Sequence, residues 1–267
     1  QDDKEGAVRM KWNHQYIINS TLKGEHAFLE NNVLRLNWSA VLSKAYSETP
    51  DNTEIYMQGT HLQNTNSAIR RWEHNSDKDK AGYVDLMYKW NLGGGSVLDF
   101  SVGGMYRDKK RDSFFNEYTF DSATGSKDPQ YQGTDWNNYD ELLFAARKYG
   151  NISDPLNYDA TEKIGAGYGM VKYTYGRWEL IGGVRVEHTN QGYTLKFPTE
   201  SADPKGNQKY TDVLPSFHAK YGVHENANLR LSYARSINRP SFFEIVPYSI
   251  INEDYKEKGN PDLKHTV

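Results

Sequence analysis

The stretch Val97-Leu98-Asp99-Phe100-Ser101-Val102-Gly103-Gly104-Met105-Tyr106-Arg107-Asp108-Lys109-Lys110-Arg111 decides how the chain is read. Leu98, Phe100, Val102 and Tyr106 share one parity; Asp99, Ser101, Arg107, Lys109 and Arg111 share the other. Successive side chains of an extended chain point to opposite faces, so this period of two predicts a strand with one apolar and one polar face. The run continues to about Phe120. That is roughly twice the 9–11 tilted residues that cross a bilayer, and far beyond the usual 5–6 of a soluble strand.

The same alternation recurs on both sides of this run. Val8, Met10, Trp12, Tyr16 and Ile18 open the chain. Leu34, Leu36, Trp38, Ala40 and Leu42 oppose Arg35, Asn37, Ser39 and Ser43; Val84, Leu86, Tyr88 and Trp90 oppose Asp85 and Lys89. Later runs cover 162–175, 177–197, 210–223 and 228–238, which makes about eight strands. Trp178, Leu180, Val184 and Val186 oppose Glu179, Arg185 and Glu187; Leu229, Leu231 and Tyr233 oppose Arg230 and Ser232.

The links sort by length. Asn91–Gly95, Tyr175–Arg177 and His224–Asn228 are short and turn-rich, whereas 46–80, 121–161, 198–209 and 239–261 read as long loops. Transmembrane barrels alternate short periplasmic turns with long extracellular loops in this way. Within the loops, Tyr139–Tyr149 has the spacing of a short helix, and Ser76-Asp77-Lys78-Asp79-Lys80 reads as a solvated tip. The fold class expected is all-β: an antiparallel up-and-down transmembrane barrel segment of about eight strands. A soluble β-sandwich that binds glycan or protein is the other architecture the pattern allows.

Composition agrees with many short aromatic strands. Among 267 residues, aromatics reach 13% with 20 Tyr and 6 Trp, at a mean hydropathy of -0.85. A net charge of -3 argues against nucleic acid as a partner. Zero cysteines exclude disulfides, thiolate metal sites and cysteine nucleophiles. No window approaches 18 consecutive apolar residues, which excludes a membrane-spanning helix and leaves a barrel open. The charged Gln1–Gly6 carries no apolar signal-peptide segment.

In a barrel one parity meets hydrocarbon, where an Arg or Lys near the midplane costs about 2–4 kcal/mol. Arg107, Lys109, Arg111, Arg185, Glu187 and Arg230 are therefore expected to point inward or to lie beyond the membrane. Gly165, Gly167 and Gly169 share one parity beside Ile164, Ala166, Tyr168 and Met170. Lying inside a strand pattern, they do not form a phosphate loop. They predict a smooth, inward-facing strip that another backbone can approach closely.

Several blocks in order along the chain resemble TonB-dependent receptors of the Gram-negative outer membrane. They include Leu22–Phe28 with Leu36-Asn37-Trp38 and Thr49-Pro50-Asp51, Phe100–Arg111, and Tyr158–Glu162 leading into Ala166-Gly167-Tyr168. Gly182–Glu187 is similar to that family's Gly-Val-Arg-x-Glu strand. The strongest block is Leu214-Pro215-Ser216 with Leu229–Phe242, then Gly259–Lys264. The resemblance implies residues 1–267 are the middle of a 22-stranded barrel, with plug domain, TonB box and C-terminal strands lying elsewhere.

What the resemblance implies is nutrient import: capture of a siderophore, haem, vitamin, oligosaccharide or peptide, then TonB-energised passage. The partners implied are the TonB complex through the plug, a small-molecule, glycan or peptide ligand and outer-membrane lipids, with room for a surface lipoprotein. No cofactor is implied. Loop aromatics Tyr56, Trp72, Tyr131, Trp136 and Tyr139 are candidate ligand contacts, because rings offer large area at low entropy cost. Arg107, Arg185, Glu187 and Arg230 are the candidates within the lumen. Arg239-Pro240 and Gly259-Asn260-Pro261 read as loop architecture. The scattered histidines and the absence of His-Glu-x-x-His or Gly-x-Ser-x-Gly give no catalytic constellation, so no enzyme is expected. A structural or assembly barrel without transport is the competing role.

Overall fold

A computed structural model describes residues 5–29, 33–58, 61–62, 68–122, 144–146, 156–198, 203–251 and 256–267. The strands in chain order are β1 Glu5–Phe28, β2 Leu34–Gln58, β3 His61–Leu62, β4 Ala68–Gly93, β5 Ser96–Ser122, β6 Phe144–Ala146, β7 Tyr158–Tyr175, β8 Trp178–Leu195, β9 Lys205–His224 and β10 Ala227–Ala234. A one-turn helix, α1 Phe242–Ile245, and a small hairpin, β11 Ser249–Ile251 with β12 Lys256–Lys258, follow.

Eight strands form one antiparallel sheet in the order β1-β2-β4-β5-β7-β8-β9-β10, with β3 and β6 as short additions to β2 and β5. Each main strand pairs with its neighbours in sequence, which is up-and-down topology. Short turns close one end: Gly94-Gly95 between β4 and β5, and Gly176-Arg177 between β7 and β8, with positive φ at Gly93, Gly94, Gly95 and Gly176. The long links lie at the other end. No second large sheet packs on this one among the described residues, so the sandwich reading falls.

Register assigns the faces. The row His26–Leu36–Leu86–Val102–Gly169–Val184–Pro215 runs across seven strands on one side. Between Leu34–Leu42, Gly82–Leu92, Leu98–Tyr106, Gly165–Tyr175, Trp178–Val186, Val213–Val223 and Leu229–Tyr233, this face carries no Asp, Glu, Lys or Arg. Its large apolar residues stand exposed: Val102 by 54%, Val184 by 47%, Leu229 by 67%. We call it the outer face. A band about 9–11 residues tall, apolar and unpacked by protein, is what hydrocarbon covers. The opposite, inner face holds every charge expected there: Arg107, Lys109, Arg111, Arg185, Glu187 and Arg230.

Several expectations are corrected. The loop expected over 46–80 is mostly strand, because β2 runs to Gln58 and β4 starts at Ala68. Ser76–Lys80 lies in the middle of β4, opposite Asp108 to Asp112 of β5, and is no loop tip. Beyond the hydrocarbon both faces of a strand are wet, so hydropathy stops marking it and cross-strand ion pairs carry the pairing instead. The helix expected at Tyr139–Tyr149 gives way at Phe144–Ala146 to β6, paired with Phe120–Ser122; the rest of that span lies outside the described residues. A helix of that length is marginal alone, whereas a strand edge offers ready hydrogen bonds. Gly165, Gly167 and Gly169 pair with Tyr106, Gly104 and Val102, so their strip faces outward, toward lipid.

One bulge resets β2. Trp12 pairs with Asp51 and His14 with Glu48, leaving Thr49 and Pro50 opposite Asn13 alone. Pro50 has no N–H for the ladder, which suits a bulge. Thr49 Oγ1 donates to Asn13 Oδ1 at 2.6 Å, and the shift turns Asn52, Glu54 and Tyr56 to the inner face.

Candidate functional site

Among the described residues, the one cluster of buried apolar residues lies on the inner face, above the level of the apolar band: Tyr158, Ala160, Tyr193 and Leu195 with Phe242, Ile245 and Val246. The chain reaches it by leaving the sheet after Ala234 and folding back over β7 and β8. Ser241 caps α1 through a capping box: its side chain accepts from the Glu244 N–H, and Glu244 accepts from the Ser241 N–H at 2.7 Å. Those bonds from Ser241 hold the Glu244 carboxyl below its usual range. Burial, then the bond to Glu257 at 2.5 Å, pushes the Tyr248 phenol up.

The return strap Gly259–Leu263 closes over this turn. Asn260 N–H donates to the Glu244 carbonyl at 2.7 Å, and Gly259 N–H to the Tyr248 carbonyl at 3.1 Å. A Cβ at Gly259 would sit 1.7 Å from the Val246 carbonyl oxygen, so only glycine fits. Gln208 Nε2 donates to the carbonyls of Pro261 and Leu263 at 2.8 and 3.0 Å.

Charges flank the cluster in paired rows. Arg111 forks onto Asp77 at 2.6 and 2.7 Å, Lys109 reaches the same carboxylate at 3.4 Å, and Arg107 forks onto Asp79. Lys109 and Arg111 also lie over the Phe242 ring, at 5.5 and 5.7 Å. Glu187, buried, accepts from Arg185 at 2.5 Å and from Arg239, while Arg239 Nε donates to Thr189 Oγ1 at 3.1 Å. Gln191 Nε2 donates to the Pro240 carbonyl at 2.7 Å. Lower down, Tyr168 crosses over Gly103, which has no side chain to obstruct it, and donates to Asp85 at 2.6 Å.

The structure thus brings together Arg185 and Glu187 with Arg239, and sets Arg107 in the neighbouring ion-pair ladder. Arg230 lies apart, opposite Lys220 near the β9–β10 turn, and is exposed. Trp72 is corrected: it is a β4 strand residue on the outer face, edge-on to Tyr118 at 5.8 Å, with Arg70 over its ring at 5.1 Å. Tyr56 is likewise a strand residue, donating to Glu54 at 2.7 Å. Tyr131, Trp136 and Tyr139 lie outside the described residues. Sequence reasoning missed Asp77, Asp79, Gln191 and the docking of Phe242. The Ser241-Phe242-Phe243-Glu244 capping signature and the period of two in Asp77 and Asp79 were the available signals.

An apolar lipid-facing band, an ion-paired inner face and strands that continue past the membrane define the wall of an outer-membrane β-barrel. Residues 147–267 match the model of the outer membrane protein β-barrel family. The chain is similar to the ferric citrate transporter FecA, at 13% identity and a TM-score of 0.53, over 82% of this chain and 27% of that one. It is similar to the siderophore receptor PiuA from Acinetobacter baumannii, at 17% identity and a TM-score of 0.56, over 84% of this chain and 32% of that one. No match was found among curated protein sequences. The chain spans about a third or less of the solved structures it matches, and at these identities the likeness is one of fold. The outer-membrane β-barrel fold expected from the sequence is borne out.

Proposed function

We propose that this chain is part of a nutrient receptor whose inner face and long-link end take up a small, scarce ligand for TonB-energised import. The observation that carries this is the height of the wall. β1, β2, β4 and β5 are 24 to 27 residues long, against about 9–11 needed to cross the bilayer. More than half of each strand therefore stands above the membrane with a polar inner face, which suits capture of a ligand from outside. An anchoring barrel has no use for that height.

A ferric chelate is the first ligand class to try, since the matched structures are a ferric citrate transporter and a siderophore receptor. Haem, cobalamin, oligosaccharides and peptides follow. The charged groups of these rows are already paired with one another, so the ligand is expected to be held by hydrogen bonds and ring contacts as well as by charge. The test is accumulation of radiolabelled members of each class by cells carrying or lacking the intact gene, with and without TonB. Uptake of one class that needs both is expected. Equal accumulation of every class in cells lacking the gene would leave the structural-barrel role standing.

A further inference from the structure

We propose that the outer face just above the apolar band binds the phosphate-bearing headgroups of the lipid leaflet on the long-link side. The argument begins with register. Lys44, Lys78 and Lys110 stand directly opposite one another across β2, β4 and β5, all on the outer face and all exposed. The next row toward the band runs Leu42–Lys80–Asp108–Lys163–Asn190–Lys209 across β2, β4, β5, β7, β8 and β9. Lys80, Lys163 and Lys209 are exposed as well.

Like charges directly opposite in a sheet destabilise it, with strands only about 4.8 Å apart. Here the lysines face one acid within the two rows, Asp108, and no ion pair forms on Lys78, Lys80, Lys110, Lys163 or Lys209 among the described residues. The acids one row higher are engaged elsewhere. Asp112 binds Lys196 at 2.6 Å and His74 at 3.4 Å, and Asp159 lies 3.8 Å from Lys196. Among the described residues Lys44 has only the Tyr16 ring, at 5.3 Å. An unneutralised lysine patch of this kind is stable when something anionic lies on it.

Position names that partner. Directly below the lysines the outer face becomes apolar, at Leu42, Gly82, Tyr106 and Gly165, so the ammonium groups sit at the boundary between hydrocarbon and headgroups. Long lysine stems can lie on the apolar surface while the charge reaches the headgroup layer. Among the described residues the opposite rim has no such belt: it carries Trp90, Tyr175, Trp178 and Tyr221, with Trp178 and Tyr221 packed at 4.5 Å, and no charge on the outer face. The two leaflets are thus met by different chemistry, aromatic on the turn side and cationic on the long-link side. Lysine suits phosphate as a compact point charge, and clusters of several lysines at a membrane surface hold anionic lipids.

The experiment uses the intact protein in mild detergent and follows lipid binding by native mass spectrometry. The probes are a bis-phosphorylated lipid A, its dephosphorylated form, and inorganic phosphate. Replacing Lys44→Gln, Lys78→Gln, Lys80→Gln and Lys110→Gln together is expected to weaken binding of the phosphorylated lipid about a hundredfold. The same positions changed to Arg should bind within about threefold of the original, since charge is kept. Lys23→Gln with Lys89→Gln, both on the inner face, should leave binding unchanged. Undiminished binding by the Gln variant overturns the proposal, as does equal affinity for the dephosphorylated lipid. Displacement of the lipid by millimolar-range inorganic phosphate would show an ion site and would overturn the headgroup assignment.

Discussion

Within β5, Leu98–Tyr106 and Asp108–Asn116 share one strand, one face and one ladder of hydrogen bonds, yet their outer residues differ completely. The lower set is Leu98, Phe100, Val102, Gly104 and Tyr106; the upper is Asp108, Lys110, Asp112, Phe114 and Asn116. The strand pairing runs through that step without a shift of register. What changes is the medium against the face: hydrocarbon below, headgroups and water above. The inner face crosses the same level without a break, from Ser101 and Arg107 to Lys109 and Arg111. The sheet therefore records the membrane boundary on one side only.

The sharpest way to break this comparison is to put one charge on each side of the boundary. Leu86→Arg, in the middle of the band, is expected to cost about 2–4 kcal/mol in the lipid-embedded protein. Ser76→Arg, on the same face of the same strand above the band, should stay within about 0.5 kcal/mol. Equilibrium urea unfolding in lipid vesicles measures both. Equal costs at the two positions would mean that one solvent covers both levels, and the barrel reading would go.

Legibility in the sequence follows the same boundary. Inside the band, period-two hydropathy assigned β5, β8 and β10 to the correct faces from residue type alone. Above it, Asp77 and Lys78 face opposite ways but are both charged, so the pattern looked like a loop. In β7 the outward positions 165, 167 and 169 are glycines, which have no side chain to declare a face, while Ile164 and Met170 suggested the wrong parity for lipid. The inner cluster was harder still. Glu187 and Arg239 meet across 52 residues of chain, and no local signal couples them. The sequence did show the parts, Arg185, Glu187 and the Arg239-Pro240 block, without showing that they dock.

The second test sharpens the contrast between sheet and docked segment. Gly259→Ala places a methyl against the Val246 carbonyl, where backbone cannot yield as a flexible side chain would, at a cost of about 1–3 kcal/mol. The strain falls on the strap, so the amides of Gly259 and Asn260 should exchange hydrogen faster while those of β8 stay protected. Unchanged exchange at 259 and 260 would show that the strap is not pinned where the structure puts it.

The smallest effect expected is a pH response confined to that same segment. Glu244 titrates lower in the folded chain than in the unfolded one, because Ser241 bonds favour its ionised form. The stability it adds is therefore complete above the unfolded value of about 4.3, and is lost as pH falls through the folded value. Between about pH 6 and pH 3, exchange at the Glu244 amide should rise relative to the β8 amides, by a modest factor since the group is exposed. Glu244→Gln keeps an acceptor for the Ser241 N–H without a titrating proton, so its profile should stay flat over that range. A pH response that persists in this variant would show that the Ser241–Glu244 capping box is not the switch.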